Sequence, residues 1–151
     1  MTALPEDMTQ FLETVIAVVV ATTDSKLKPE VTRGWGVRVI GEDTVSLSVD
    51  RAAAQQTIDN LRPDGQVAIG CIRLDFQARQ LKGRCLAITE PDEEDIARIE
   101  AHRQLYIETA AEYDMAEDVI RQHWSDDVVT LHCRIDELFD QTPGPEAGRV
   151  L

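Results

Sequence analysis

The first stretch with a clear burial signature is VIAVVVAT, residues 15–22, apolar at odd and even positions alike. Alternate side chains of a strand point to opposite faces, so such a run predicts a strand covered on both. A short helix, begun near Pro5 and closing over Phe11–Val15, precedes it. After the turn DSKLKP, residues 30–40 alternate: Val31, Arg33, Trp35, Val37 and Val39 share one parity, Gly34 and Gly36 the other. Glycines inside a strand mark a bend or a close approach by another backbone or a ligand. Residues 44–50 place Val45, Leu47 and Val49 inward and Thr44, Ser46 and Ser48 outward.

Residues 51–65 read as a helix stopped by Pro63 and Gly65. Residues 66–73 are again apolar on both faces. In 78–89, Leu81, Gly83, Cys85 and Ala87 face one way and Gln80, Lys82 and Arg84 the other. A helix follows, with Thr89 as its cap and a stripe of Ile96, Ile99, Tyr106 and Ala110 interrupted by Arg103; a second covers Met115–His123. The last strand, 127–139, turns Val129, Leu131, Cys133 and Ile135 inward, and Pro143 and Pro145 exclude regular structure from the tail. Short early loops favour antiparallel pairing, and steady βα alternation is missing. The fold class is therefore mainly β with helices (α+β), a six-stranded antiparallel β-barrel decorated by helices. One domain spans 1–151, with barrel strands in 15–89 and 127–139, an acidic helical insertion at 90–126 and an irregular tail at 140–151.

Charge adds an asymmetry. The net charge is −13, which argues against nucleic acid as a partner. Yet Lys26 to Arg84 holds ten Lys/Arg against seven Asp/Glu, whereas 90–127 holds 13 acids against three arginines. The acids read as a solvated helical face. No apolar run is long enough to span a bilayer, and MTALPEDMTQ has no basic n-region, so no membrane and a cytoplasmic location are expected. Cys71, Cys85 and Cys133 form neither a disulfide framework nor a metal pattern and read as small buried hydrophobes.

Candidate chemistry is sparse. The chain has no G-x-S-x-G elbow, no H-E-x-x-H and no Gly-rich phosphate loop, and no catalytic or metal-ligating residue stands out. His102 and His123 read as solvated helix surface, and His132 as exposed or interfacial. What remains is a barrel wall with cations, hydroxyls and glycines: Thr32 to Gly36, Ser48, the helix start at Gln55 to Thr57, and Lys82 with Arg84. Such a set suits a phosphorylated aromatic ligand, the cations meeting the phosphate and Trp35 the ring. Alternatively, Trp35 fills core and the cations are surface residues.

From Phe11 to Ile88 the chain resembles the pyridoxamine 5′-phosphate oxidase-like FMN-binding split barrels. The resemblance rests on VVVATTDSKLKPEVTRGWG, NLRPDGQVAI and RQLKGRC, with Pro29, Asn60-Leu61, Val67 and Lys82-Gly83 in the family's order. It implies a split barrel forming a homodimer with FMN at the subunit interface, and an FMN-dependent oxidoreductase acting on a small molecule. The implied cofactor-binding residues are Thr32, Arg33, Gly34, Trp35, Gly36, Ser48, Arg51, Gln55, Thr57, Gln80 and Lys82. The family's phosphate-contacting lysine falls on Thr57, with Arg33 or Arg51 as replacements. Registered on Gly83, the family's flavin-contacting glutamine falls on Ala78 rather than Gln80. The C-terminal segment of the true oxidase is missing, which points away from pyridoxamine phosphate oxidation itself. The alternative is a non-catalytic module on the same barrel, holding haem, a deazaflavin or another planar ligand, or a cofactor-free interaction protein. Haem would need an axial histidine, His132 or one on a helix.

Overall fold

The computed structural model describes residues 3–151. Its elements run α1 (Met8–Glu13), β1 (Val15–Thr23), β2 (Pro29–Val39), β3 (Thr44–Asp50), α2 (Gln55–Asp64), β4 (Gln66–Arg73), β5 (Ala78–Thr89), α3 (Glu93–Ala111), α4 (Glu117–Arg121), β6 (Val128–Asp140) and β7 (Arg149–Val150). All strand pairs are antiparallel, in the order β3-β2-β1-β4-β5-β6, and β3 also pairs with β6 to close six strands into a barrel. The expected barrel is observed. β7 adds a short edge to β6 within the tail expected to be irregular.

Closure buries one side chain from every second position, as the period of a strand requires. Val18, Val37, Leu47, Ile69, Leu81 and Leu131 meet in this core. Met8, Phe11 and Leu12 of α1, with Ile58 and Leu61 of α2, also join it. No described helix is long and apolar enough to cross a membrane.

The parity expected for β2 fails at Gly36. Trp35 pairs with Ser48 and Arg38 with Ser46, so two residues of β2, Gly36 and Val37, stand against Leu47 alone. This bulge sends Val37 into the barrel, fully buried, while Trp35 joins a separate cluster with Ile99 and Val128. Gly36 takes φ +63°, and a Cβ there would lie 2.9 Å from the backbone nitrogen of Ile99. Only glycine lets α3 lie this close to the strand.

α3 starts later than expected. Its cap is Asp92, whose carboxylate accepts the N–H of Asp95 while Asp95 accepts that of Asp92; Thr89 ends β5 instead. Asp95 also accepts from Arg38 at 3.0 Å and from Ser46 at 3.2 Å. This anchor fixes the helix rotation. Ile99, His102, Ile107 and Ala110 are buried, whereas Ile96 is 55% exposed. His102, expected to be solvated, is 1% exposed. Ser46 and Ser48 point out of the barrel yet are fully covered.

Candidate functional site

A groove of about 580 Å³ runs between β2, the turn entering α2 and the turn leaving α4. Thr32, Arg33, Trp35, Asp50, His123 and Trp124 are among its lining residues. Trp35 stacks on Trp124 with centroids 5.4 Å apart and planes at 27°. The edge of His102 meets Trp124 at 5.0 Å, which makes an aromatic wall behind the groove. Arg33 is exposed and forms no ion pair with a described residue. His123 holds its Nδ1 2.6 Å from the carbonyl oxygen of Val119. A carbonyl only accepts, so Nδ1 is the donor, and in the neutral form of the ring the lone pair is on Nε2.

Of the residues expected at a cofactor, Thr32, Arg33 and Trp35 come together here. Gly34 faces the barrel interior against Leu47, Val18 and Val20. Gly36 lies under α3. Ser48 hydrogen-bonds Thr130 at 2.9 Å, fully buried. Arg51 and Gln55 line a second groove of about 770 Å³ between α2 and β5. Lys82 lines a third of about 410 Å³, its Nζ 4.6 Å from the centroid of the Phe139 ring. Gln80 accepts a bond from Gln141 at 3.2 Å. The basic string RQLKGRC is thus dispersed: Arg79 pairs with Asp7 at 2.6 Å, and Arg84 donates to the Asp64 carbonyl. Gly83 is required there, since any Cβ would collide with the Arg134 carbonyl.

FMN demands a cradle for a phosphate dianion, and the donors expected to form it are not gathered in one place. Arg51 is held by Glu90 at 2.7 Å and Asp127 at 2.8 Å. The Asp50 carboxylate already takes the N–H of Ala53 at the entry to α2, a bond that, with Ser125, keeps this acid below the usual carboxylate range. Gln55 donates to Asp59. Thr57 is fully buried, and its hydroxyl has no partner. A phosphate in the β2–α4 groove would meet one guanidinium, Arg33, beside the carboxylate of Asp50. Within a single chain these residues do not assemble a phosphate cradle.

The sequence reading missed His123 and Trp124 as groove residues. Their only signal was a histidine and an aromatic side by side after an acidic helix, and the chain returns them to β2 from about 90 residues away.

No family model and no curated protein matches the sequence. Solved structures do match the fold. HupZ of Group A Streptococcus is 14% identical over 96% of this chain and 99% of its own, at a TM-score of 0.59. A candidate pyridoxamine 5′-phosphate oxidase from Lactobacillus delbrueckii is 14% identical over 91% and 93%, at 0.57. The fold is that of the pyridoxamine 5′-phosphate oxidase-like split barrels. HutZ of Vibrio cholerae, described as a haem storage protein, is 16% identical over 92% of this chain and 95% of its own, at 0.50. Proteins of this fold therefore include one described as storing haem and one, from Syntrophomonas wolfei, described as FMN-binding.

Proposed function

We propose that this protein is a cytoplasmic, homodimeric split-barrel module that binds a planar anionic ligand in the β2–α4 groove, with haem the best chemical match. The observation that carries the reading is His123, which lines that groove with Nδ1–H tied to the Val119 carbonyl and Nε2 free. A backbone acceptor on the far nitrogen orients an imidazole and raises its basicity as a metal ligand. Arg33 supplies a cation for a carboxylate of the ligand, and Trp35 with Trp124 an apolar wall for its ring. Haem would bring iron chemistry to the site; the chain's part is to ligate, to orient and to neutralise. The likeness to HutZ supports the same reading.

A second copy of the chain fits the outer face of β1 and β4. Val19 lies between Arg33 and Gly70, and Ala21 between Val31 and Ala68. Val19, Val31 and Ile72 are exposed there, at 38%, 61% and 36%. Lys82 and Glu137 stand opposite one another at one margin and Arg33 stands at the other, a mixed rim that a two-fold axis matches to itself.

The second reading, an FMN-dependent oxidoreductase of a small molecule, rests on the likeness to the candidate oxidase. Titrating the purified protein with haemin and, separately, with FMN separates the two. A saturable Soret shift lost in His123→Ala, with no FMN binding, is expected. Saturable FMN binding with no haem spectrum would overturn the haem assignment in favour of the flavoprotein.

A further inference from the structure

Two cysteines stand opposite one another where β5 meets β6: Cys85 is the register partner of Cys133. Cys85 donates its backbone N–H to the Gly65 carbonyl at 2.7 Å, on the β4 side. Its own carbonyl also points there, since a Cβ on Gly65 would run into it. Both backbone groups of Cys85 thus turn away from β6. In an antiparallel sheet this makes Cys85 and Cys133 a non-hydrogen-bonded pair, the kind with Cα atoms about 4.5 Å apart. Disulfides span Cα separations of about 4.4–6.8 Å, so the pair is close enough to bridge with the backbone in place.

The two thiols have unlike surroundings. Cys133 is fully buried in the barrel core. Cys85 is only partly buried: it packs on that core from one side and lines the α2–β5 groove on the other. The bulge at Leu86 directly follows it, and Arg51 and Arg62 line the same groove. A hydrogen bond from the Cys133 thiol, opposed by burial, lowers the pKa of Cys85, while that bond and burial push Cys133 well up. Cys71 is sealed in the core, and burial raises it to about 12.

We propose that Cys85 is a site of oxidation by hydroperoxides entering from the α2–β5 groove, and that Cys133 resolves it into a cross-strand disulfide joining β5 to β6. In the first step the Cys85 thiolate sulfur attacks the terminal peroxide oxygen. The O–O bond breaks, alkoxide or hydroxide leaves and takes a proton from water, and Cys85 becomes the sulfenic acid, oxidised by two electrons. In the second, the Cys133 sulfur attacks that of Cys85. The S–S bond forms, the S–O bond breaks, and the departing hydroxide leaves as water with the Cys133 proton. A dithiol reverses the change by exchange. Cys71 takes no part.

The test treats the reduced full-length protein with hydrogen peroxide and counts thiols after denaturation, with peptide mapping by mass spectrometry. The count should fall from three to one, with a Cys85–Cys133 linked peptide and a mass lower by two hydrogens. Cys133→Ala, which keeps the core apolar, should instead accumulate a dimedone-reactive sulfenic acid on Cys85, and Cys85→Ala should show neither product. Three thiols surviving peroxide, a bridge through Cys71, or sulfinic acid on Cys85 without a disulfide in the unmutated protein would each overturn the proposal. Haem or FMN binding is not required for any of these readouts.

Discussion

Gly36 donates its backbone N–H to Nδ1 of His102 at 3.1 Å, joining β2 to α3 across the bulge. Because Nδ1 accepts, the proton sits on Nε2, which donates to the Ile16 carbonyl at 3.1 Å. The imidazole is therefore held neutral. Burial first, opposed by the Ile16 bond and reinforced by Arg98, depresses its pKa from 6.5 to about 4.

This pair makes the fold acid-labile in a defined window. Between about pH 6.5 and 4 the unfolded chain takes up a proton that the folded chain refuses. The stabilisation is complete above pH 6.5 and lost as pH falls towards 4, in all by about 3 kcal/mol. Urea unfolding of the protein and of His102→Gln across pH 7.5 to 4.5 checks it. The difference in stability between the two should shrink on acidification; parallel curves would show that His102 does not titrate this way.

Asp95 works in the opposite charge state. Burial alone would raise its carboxyl, but the Asp92 N–H, Arg38 and Ser46 together hold it below the usual range. It is 2% exposed, and Arg38 also reaches Asp92 and Glu94. Asp95→Asn should cost about 1–3 kcal/mol, since it removes the buried negative charge that Arg38, Ser46 and the Asp92 N–H all bond, while Asp92 and Glu94 still hold Arg38. Denaturant unfolding at pH 7 measures this, and a loss below about 0.5 kcal/mol would mean the cluster behaves as a surface network.

The proposed dimer has a single-residue test. Ile72 lies on β4 opposite Ala17 and Ala78, on the exposed outer face. Ile72→Glu should leave the barrel folded, since that side chain meets solvent in the monomer, but should halve the mass seen by light scattering. An unchanged mass would place any interface elsewhere.

The barrel was legible because period-two burial needs no knowledge of partners. Val45, Leu47 and Val49 point inward, as their alternation says. Legibility ended where a third element intervened. Trp35 and Val37 share a parity in sequence, and only the pairing with Ser46 and Ser48 reveals the extra residue that separates them. His102 looked solvated because it sits among acids on one helix; its partners, Gly36 and Ile16, are backbone groups, and backbone has no sequence signature. The same holds for the candidate site, where Thr32 and Arg33 were visible on their strand but His123 and Trp124 arrive through tertiary folding.

Thr57 decides what became of the expected phosphate site. It stands where the resemblance places a phosphate-contacting lysine, yet its hydroxyl is buried without a hydrogen-bond partner. Nearby, Asn60 spends its amide on Thr22 at 3.0 Å. An orphaned buried hydroxyl is a desolvation cost of about 1–3 kcal/mol, whereas a methyl of the same shape carries none. Thr57→Val should therefore raise stability, by up to about 1 kcal/mol once side-chain entropy and imperfect fit are allowed for. It should also leave ligand affinity in the β2–α4 groove unchanged, because Thr57 does not line it. Thermal unfolding with and without haemin or FMN reads both effects together. A destabilised variant would show that the hydroxyl is satisfied within the folded protein, and loss of the ligand-induced shift in Tm would show that it meets a ligand phosphate after all.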